Sequence, residues 1–278
     1  MSITITNLGY VSKKIECFSF LFRMFKDKHI SNIKNPIARN MFAALMLNRA
    51  YSTCKILKKT PSPLLEITKS QASKLQKILN VEVNYCFSYS KPLCADKNTI
   101  IFPLYTIYSN TLYGFLFDKK PQKILPPLCT FKEFNEFYIK KLQDKYTLVQ
   151  PQAVIFSNHS LPVSLAKKDS YEKDTYVFCN LLAKNLNLKE YYVSFQSKLG
   201  PIKWLEPSTI NILKLLKNKS VLIVPVSFVS DNTETLFEID YTYTQVAKDL
   251  NIKLERLECF NDSDDFVEVL SKILLRYI

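Results

Sequence analysis

The chain has 278 residues, with 38 Lys and Arg against 25 Asp and Glu, for a formal net charge of +13. Hydrophobic residues make up 47%, which excludes general disorder, and no run of about 18 apolar residues exists to span a bilayer. The charge is mostly Lys, scattered or in short pairs such as Lys58-Lys59 and Lys140-Lys141, unlike the clustered, Arg-rich footprint of a nucleic-acid binder.

The opening MSITITNLGY has no charged segment before a long apolar one, so it reads as a strand over 3–7 and not as a leader. An aromatic-rich helix follows around 18–25, then a helix over 65–79. Strands are predicted over 81–87 and 99–105, and a helix over 131–142. The polar stretch 144–151 ends in Pro151 and reads as a hinge. Beyond it apolar runs and amphipathic stretches alternate cleanly. Strands are predicted over 152–158, 191–197, 221–228 and 253–260, and helices over 170–187, 209–217, 231–250 and 264–277. VLIVPVSF (221–228) is the most apolar run, the mark of a strand buried on both faces. This order predicts an α/β fold of two tandem doubly wound, Rossmann-like units with parallel sheets, residues 1–148 and 149–278.

Seven cysteines (17, 54, 86, 94, 129, 179, 259) include no CxxC pair and suit neither a zinc ribbon nor a disulfide framework. They read mainly as reduced core residues of a soluble, cytoplasmic protein. Only three glycines occur, Gly9, Gly114 and Gly200, so each marks a place where other residues fit badly.

In doubly wound sheets ligands bind beyond the carboxyl ends of the strands. Those ends in the second half carry Asn158-His159-Ser160-Leu161-Pro162, Ser197-Lys198-Leu199-Gly200-Pro201 with Trp204, and Ser227 to Glu234. His159 is one of two histidines and Trp204 the only tryptophan. Asp231-x-x-Glu234 matches a helix-capping pattern. Glu234, Glu238 and Tyr241 also recur at i, i+4 and i+7, an acidic ridge in a basic protein. A histidine facing such a ridge suits a divalent metal.

These blocks resemble the ferrochelatases, which insert ferrous iron into a porphyrin to make haem. VIFSNHSLPVS is similar to the family's His-x-Leu-Pro signature, and YYVSFQSKLGPIKWLEP to its Gln-Ser-x-x-Gly-Pro-x-x-Trp-Leu-x-Pro block. VPVSFVSDNTETLFEIDYTY resembles its Pro-x-Ser-Phe-x-Ser-x-x-x-Glu-Thr-Leu-x-Glu-x-Asp block. In the first half, Asn7-Leu8-Gly9, the stretch from Phe20 to Phe25, Ser62-Pro63-Leu64 and PLYTIYSNTLYG (103–114) fit in order. The resemblance covers nearly the whole chain and implies a chelatase-type fold with the porphyrin in a cleft between the two units. It places His159 and Glu234 at the catalytic and metal centre, with Glu238 in an acidic path. Tyr10, Phe25, Ser62, Tyr89, Trp204, Ser230 and Glu238 are then the candidate substrate contacts. Fe²⁺ and porphyrin are the implied substrates, with no organic cofactor and no nucleic-acid partner. The aromatic first-half lip suggests peripheral contact with the inner membrane face.

The chain departs from the family pattern in several places. Tyr10 follows Gly9 where Gly-Pro is usual. Ser88 replaces an Arg that meets the substrate, Asn232 replaces a His, and most of a helix is missing between Pro92 and Thr99. No cysteine follows Cys259, so no iron–sulfur cluster is expected. Two rival readings are a degenerate relative that binds tetrapyrrole or iron without efficient turnover, and a basic interaction module. If the departures weaken a working enzyme, Asn232→His and Ser88→Arg should raise kcat/KM.

Overall fold

Two four-stranded parallel sheets, built on the same plan, form the frame of a computed structural model that describes residues 2–11, 13–47, 61–94, 98–198 and 202–278. The first contains β1 (Ser2–Asn7), β2 (Val83–Phe87), β3 (Thr99–Pro103) and β4 (Lys123–Ile124) in the order β2-β1-β3-β4. The second contains β5 (Ala153–His159), β6 (Tyr191–Gln196), β7 (Ser220–Pro225) and β8 (Lys253–Arg256) in the order β6-β5-β7-β8. Each sheet therefore places its first strand centrally, and every pairing is parallel. Register sets Phe156 beside both Val193 and Val224. Ile155 and Phe156, like Leu222, Ile223 and Val224, are fully buried, as continuous apolar runs require of strands covered on both faces.

The two sheets share one core. The helix Lys132–Val149 buries Phe134, Tyr138 and Leu142 in a cluster that holds Ile3, Ile5 and Phe102 from the first half and Phe156, Phe178, Leu222 and Phe266 from the second. The Phe134 ring lies 6.3 Å from Phe178, 6.3 Å from Phe260 and 6.4 Å from Phe266. The same helix corrects the hinge expected over 144–151. It continues to Val149, and only Gln150 to Gln152 separate it from β5.

Other boundaries move too. The helix expected over 231–250 divides into a π-helix, Glu234–Tyr243, and an α-helix, Thr244–Asp249. Helices Lys28–Ser31, Pro36–Met46 and Asn110–Lys119, and the short β4, add to the predicted elements.

A chain so poor in glycine fills its left-handed positions with other residues, chiefly asparagine. Asn32 (φ 57°) and Asn80 (φ 52°) end the helices Lys28–Ser31 and Leu64–Leu79 in this way. Glycine is kept for close approach. A Cβ on Gly9 would lie 2.7 Å from the Phe20 ring and 2.9 Å from Ser90 Oγ, and one on Gly114 would run into the His29 imidazole. Gly200 and Cys54 lie outside the described residues.

One pair of cysteines departs from the reduced reading. Cys86, near the end of β2, is disulfide-bonded to Cys94, with Cα atoms 5.0 Å apart. With little chain left between Pro92 and Thr99, residues 88–94 fold straight back on the strand end. Phe87 N–H donates to Pro92 O at 2.8 Å and Cys94 N–H to Phe87 O at 3.2 Å, which brings the two sulfurs together. Cys129, Cys179 and Cys259 are free thiols. Burial pushes Cys129 and Cys179 up to about 12, so both stay protonated.

Candidate functional site

The carboxyl edge of the second sheet assembles the site from three strand ends and the π-helix. His159 is the last residue of β5, paired with Gln196 of β6. Its backbone is pinned on both sides. Its N–H donates to Ser227 Oγ at 2.9 Å, and its C=O accepts from the buried Tyr171 hydroxyl at 2.7 Å. The imidazole is thereby held at the edge, with Nδ1 2.8 Å from Glu234 Oε2. The His159 and Glu234 side chains are 37% and 31% exposed, so the pair is open to a ligand.

A single hydroxyl joins Glu234 to Glu238. Ser197 Oγ lies 2.6 Å from Glu234 Oε2 and 2.5 Å from Glu238 Oε2, and Ser197 N–H donates to Glu238 Oε1 at 2.8 Å. Tyr243 O–H also donates to Glu238 Oε1, at 2.6 Å. One serine hydroxyl carries one proton. It therefore satisfies one carboxylate, and the other contact is completed when a second proton sits on either acid. Ser197 reaches this position with φ at +66°, in the left-handed region that L-residues seldom adopt.

The π-helix decides which residues share the ridge. Its i→i+5 bonding widens each turn relative to an α-helix. Glu234 and Glu238 stay together, whereas Tyr241 rotates off the ridge and stacks on Phe237, 51% exposed, with ring centroids 5.5 Å apart. Tyr243, five residues beyond Glu238, takes the place that the α-helical spacing gave to Tyr241. Capping is corrected as well. Asn232, not Asp231, covers the helix start, with Oδ1 accepting from Glu234 N–H at 2.8 Å and Thr235 N–H at 3.4 Å. Asn232→His loses that acceptor and is expected to cost about 0.5–2 kcal/mol in denaturant unfolding. An unchanged midpoint would mean that the cap contributes nothing. Ser88 is 1% exposed, so an arginine there has no room. Both substitutions therefore carry a structural cost that must be set against any gain in activity.

Burial by itself pulls the His159 imidazole down, but the Glu234 charge and hydrogen bond, with the Glu238 charge behind them, outweigh it and hold it above its ordinary value of 6.5. Burial pushes the Glu234 carboxyl up, and His159 and Ser197 more than offset that, holding it below the usual range. The contact therefore favours the imidazolium–carboxylate form of the pair. An NMR titration of His159, assigned with a His29→Gln variant, should show a midpoint above 6.5. In Glu234→Gln the attracting charge is gone and the midpoint should fall. A midpoint that stays or rises would show that Glu234 does not set the imidazole's charge.

The remaining candidates are dispersed. Trp204 bridges Pro162, three residues past His159, and is half-buried. Ser230 is buried and accepts from Gln71 of the first-half helix Leu64–Leu79 at 3.1 Å, a bond between the two halves. Tyr10 is half-buried, its N–H on Ser90 Oγ at 2.8 Å and its hydroxyl on Lys91 O at 2.9 Å. Tyr89 is buried, with its hydroxyl 2.7 Å from Asp27 Oδ2. Phe25 packs edge-on against Phe42 of the helix Pro36–Met46, at 5.9 Å, and Ser62 Oγ accepts from Leu64 N–H at 3.4 Å. A cavity of about 160 Å³ lies between the halves, lined by Lys28, His29, Asn110, Lys168 and Asp169, too small for a tetrapyrrole. Ser197, Tyr171 and Tyr243 are site residues that the sequence does not single out. The first stands in the Gln-Ser block beside a strand end, while the two tyrosines carry no local signal.

Among the described residues no three His, Cys, Asp or Glu side chains converge as a metal cage. His159 and Glu234 offer one imidazole and one carboxylate, a donor set suited to ferrous iron but incomplete without further ligands from a substrate.

The model of one family, ferrochelatase, matches residues 1–277. The ferrochelatase of Campylobacter jejuni (strain RM1221) is 33% identical, over 96% of this chain and 96% of its own length. That of a Nitratiruptor species is 31% identical, over 99% of each. Among solved structures, CbiX, described as the terminal enzyme for biosynthesis of siroheme in denitrifying bacteria, superposes with a TM-score of 0.55 at 10% identity, over 78% of this chain and 94% of its own. SirB from Bacillus subtilis, solved with Fe³⁺, also gives 0.55 at 10% identity, over 76% and 88%. At that identity the likeness concerns the fold.

Proposed function

The chain belongs to the ferrochelatase family of metal chelatases, and from that premise we propose that it is a lyase inserting ferrous iron into protoporphyrin IX or a related porphyrin, the last step of haem synthesis. The observation that carries this reading is the 2.8 Å His159–Glu234 contact at the sheet edge, joined through Ser197 to Glu238. Insertion exchanges one Fe²⁺ for the two pyrrole N–H protons, so a site must attract a dication and accept protons at the same place. A dication arriving at the pair favours the neutral imidazole, any proton it held passing to solvent at this one-third-exposed edge, which leaves His159 free to ligate iron or take a pyrrole proton. Glu234 supplies the charge partner, and the second proton position at Ser197 gives a departing proton a place on Glu234 or Glu238. The four pyrrole nitrogens complete a coordination shell that the protein leaves open, so the ion passes on to the ring instead of being stored.

The helix Pro36–Met46 turns Ile37, Met41 and Leu45 outward, at 71%, 69% and 66% exposure, along one face. That stripe supports peripheral contact with a membrane face, where apolar porphyrins partition. No helix among the described residues is long and apolar enough to cross a membrane.

The deciding experiment is an anaerobic assay of the purified protein with Fe²⁺ and protoporphyrin IX, following the haem spectrum. Steady conversion supports the reading. Porphyrin binding without conversion favours the degenerate relative, a reading supported by buried Ser88 and the shortened, disulfide-closed loop 88–94.

A further inference from the structure

One side chain fastens the π-helix at two points. Arg256, the last residue of β8, donates from Nη1 to Asp231 Oδ1 at 2.8 Å and places Nε 2.7 Å from Asp240 Oδ1. Asp231 lies three residues before Glu234 and Asp240 two after Glu238, so the anchors bracket both acids of the ridge. The arginine backbone is itself fixed, paired with Ile223 of β7. Its side chain is 16% exposed and that of Asp231 14%. Asp231 is held from other directions as well. Thr235 Oγ1 and Asn261 Nδ2 each donate to its carboxylate at 2.9 Å, and Asn261 Oδ1 accepts from its N–H at 2.8 Å.

Such a fastening answers a physical need. A π-helix is rare beside the α-helix that the same chain could form, and it is rarer still over ten residues. Two carboxylates four residues apart on it repel one another. A planar guanidinium gripping two carboxylates fixes distance and angle together, which a point charge does not. The Arg256 contacts to Asp231 and Asp240 do not reach His159 or Ser197, so any effect on the geometry of the site passes through the helix.

We propose that Arg256 is a positioning residue: its fork sets the register of the π-helix so that Glu234 and Glu238 meet at the Ser197 hydroxyl and Glu234 meets His159. The kinetic consequence rests on the iron-insertion reading, whereas the structural one does not.

The test uses Arg256→Lys, Asp240→Asn and Arg256→Met in the full chain. Three quantities are measured: the melting temperature, the ¹⁵N shifts of the His159 ring at one fixed pH without metal, and kcat and KM for iron insertion. Arg256→Lys keeps the charge and loses the fork, and Asp240→Asn weakens only the 37%-exposed anchor, so both should remain folded. Both should move the His159 ring shifts and lower kcat about tenfold with KM unchanged, and Arg256→Met should lower kcat about a hundredfold. Folded Arg256→Lys and Asp240→Asn proteins with wild-type ring shifts and kcat within about twofold of wild type overturn the proposal and leave Arg256 a structural ion pair. If Arg256→Met fails to fold, the other two variants decide. If the wild type inserts no iron, the function reading fails, and the ring shifts alone decide the role of Arg256.

Discussion

His159→Ala and Glu234→Gln should each reduce iron insertion by about 10²–10⁴-fold while leaving the protein folded. The kinetic loss follows from what the pair supplies, a proton acceptor with a nitrogen donor and the carboxylate that controls its charge. The stability effect should be small for a different reason. Both side chains are about one-third exposed at the ends of elements, so removing either opens no core cavity, and an ion pair that wet contributes about 0–1 kcal/mol. The anaerobic haem assay and a denaturant melt, run on the same preparations, separate the two effects. An Ala variant that keeps its rate, or that loses several kcal/mol of stability, would remove His159 from the chemistry and make it a structural residue.

Phe134→Ala should have the largest effect on the fold, destabilising it by about 3–5 kcal/mol. The ring is fully buried, and its neighbours Phe178, Phe260 and Phe266 belong to the second half although Phe134 precedes it in the chain. Removing it empties a space that neither sheet can fill without moving against the other. We propose residues 1–148 and 149–278 as units of architecture that unfold together. Trp204, the only tryptophan, reports the second half, and far-UV circular dichroism reports the whole chain. The two transitions should coincide in wild type and variant alike. Two separated transitions in the wild type would mean that the shared core does not couple the halves.

What is legible in the sequence depends on whether a residue's surroundings repeat along the chain. β5 and β7 stand out because burial on both faces leaves continuous apolar runs, and the helix Asp264–Leu274 because Phe266, Val267, Leu270, Ile273 and Leu274 fall on one stripe. The helix Pro36–Met46 is hard to read because it buries only Ala43, so no broad apolar core face marks it. The helix Asn110–Lys119 is interrupted by Gly114, a poor helix former placed there by the His29 ring. His159, Glu234 and Glu238 are legible as strand-end and ridge residues, and the structure brings the three together. Tyr241 is misplaced by α-helical spacing because a π-turn has no sequence period to distinguish it from an α-turn until its bonds are seen. The Cys86–Cys94 bond depends on how the chain returns after Phe87, which cysteine spacing does not reveal.

The left-handed turn at Ser197 sets backbone comfort against chemistry. At φ +66° an L-residue gives up about 1–2 kcal/mol that glycine would keep, yet glycine would leave Glu234 and Glu238 without their common hydroxyl. Ser197→Gly would relieve the backbone and in the same step remove a hydroxyl bonded to two carboxylates, a contact of comparable size at about 1.5–3 kcal/mol, so the serine offsets the cost of its own turn. The strained backbone is thus held in place by the acids it joins, and loosening either acid would release the turn.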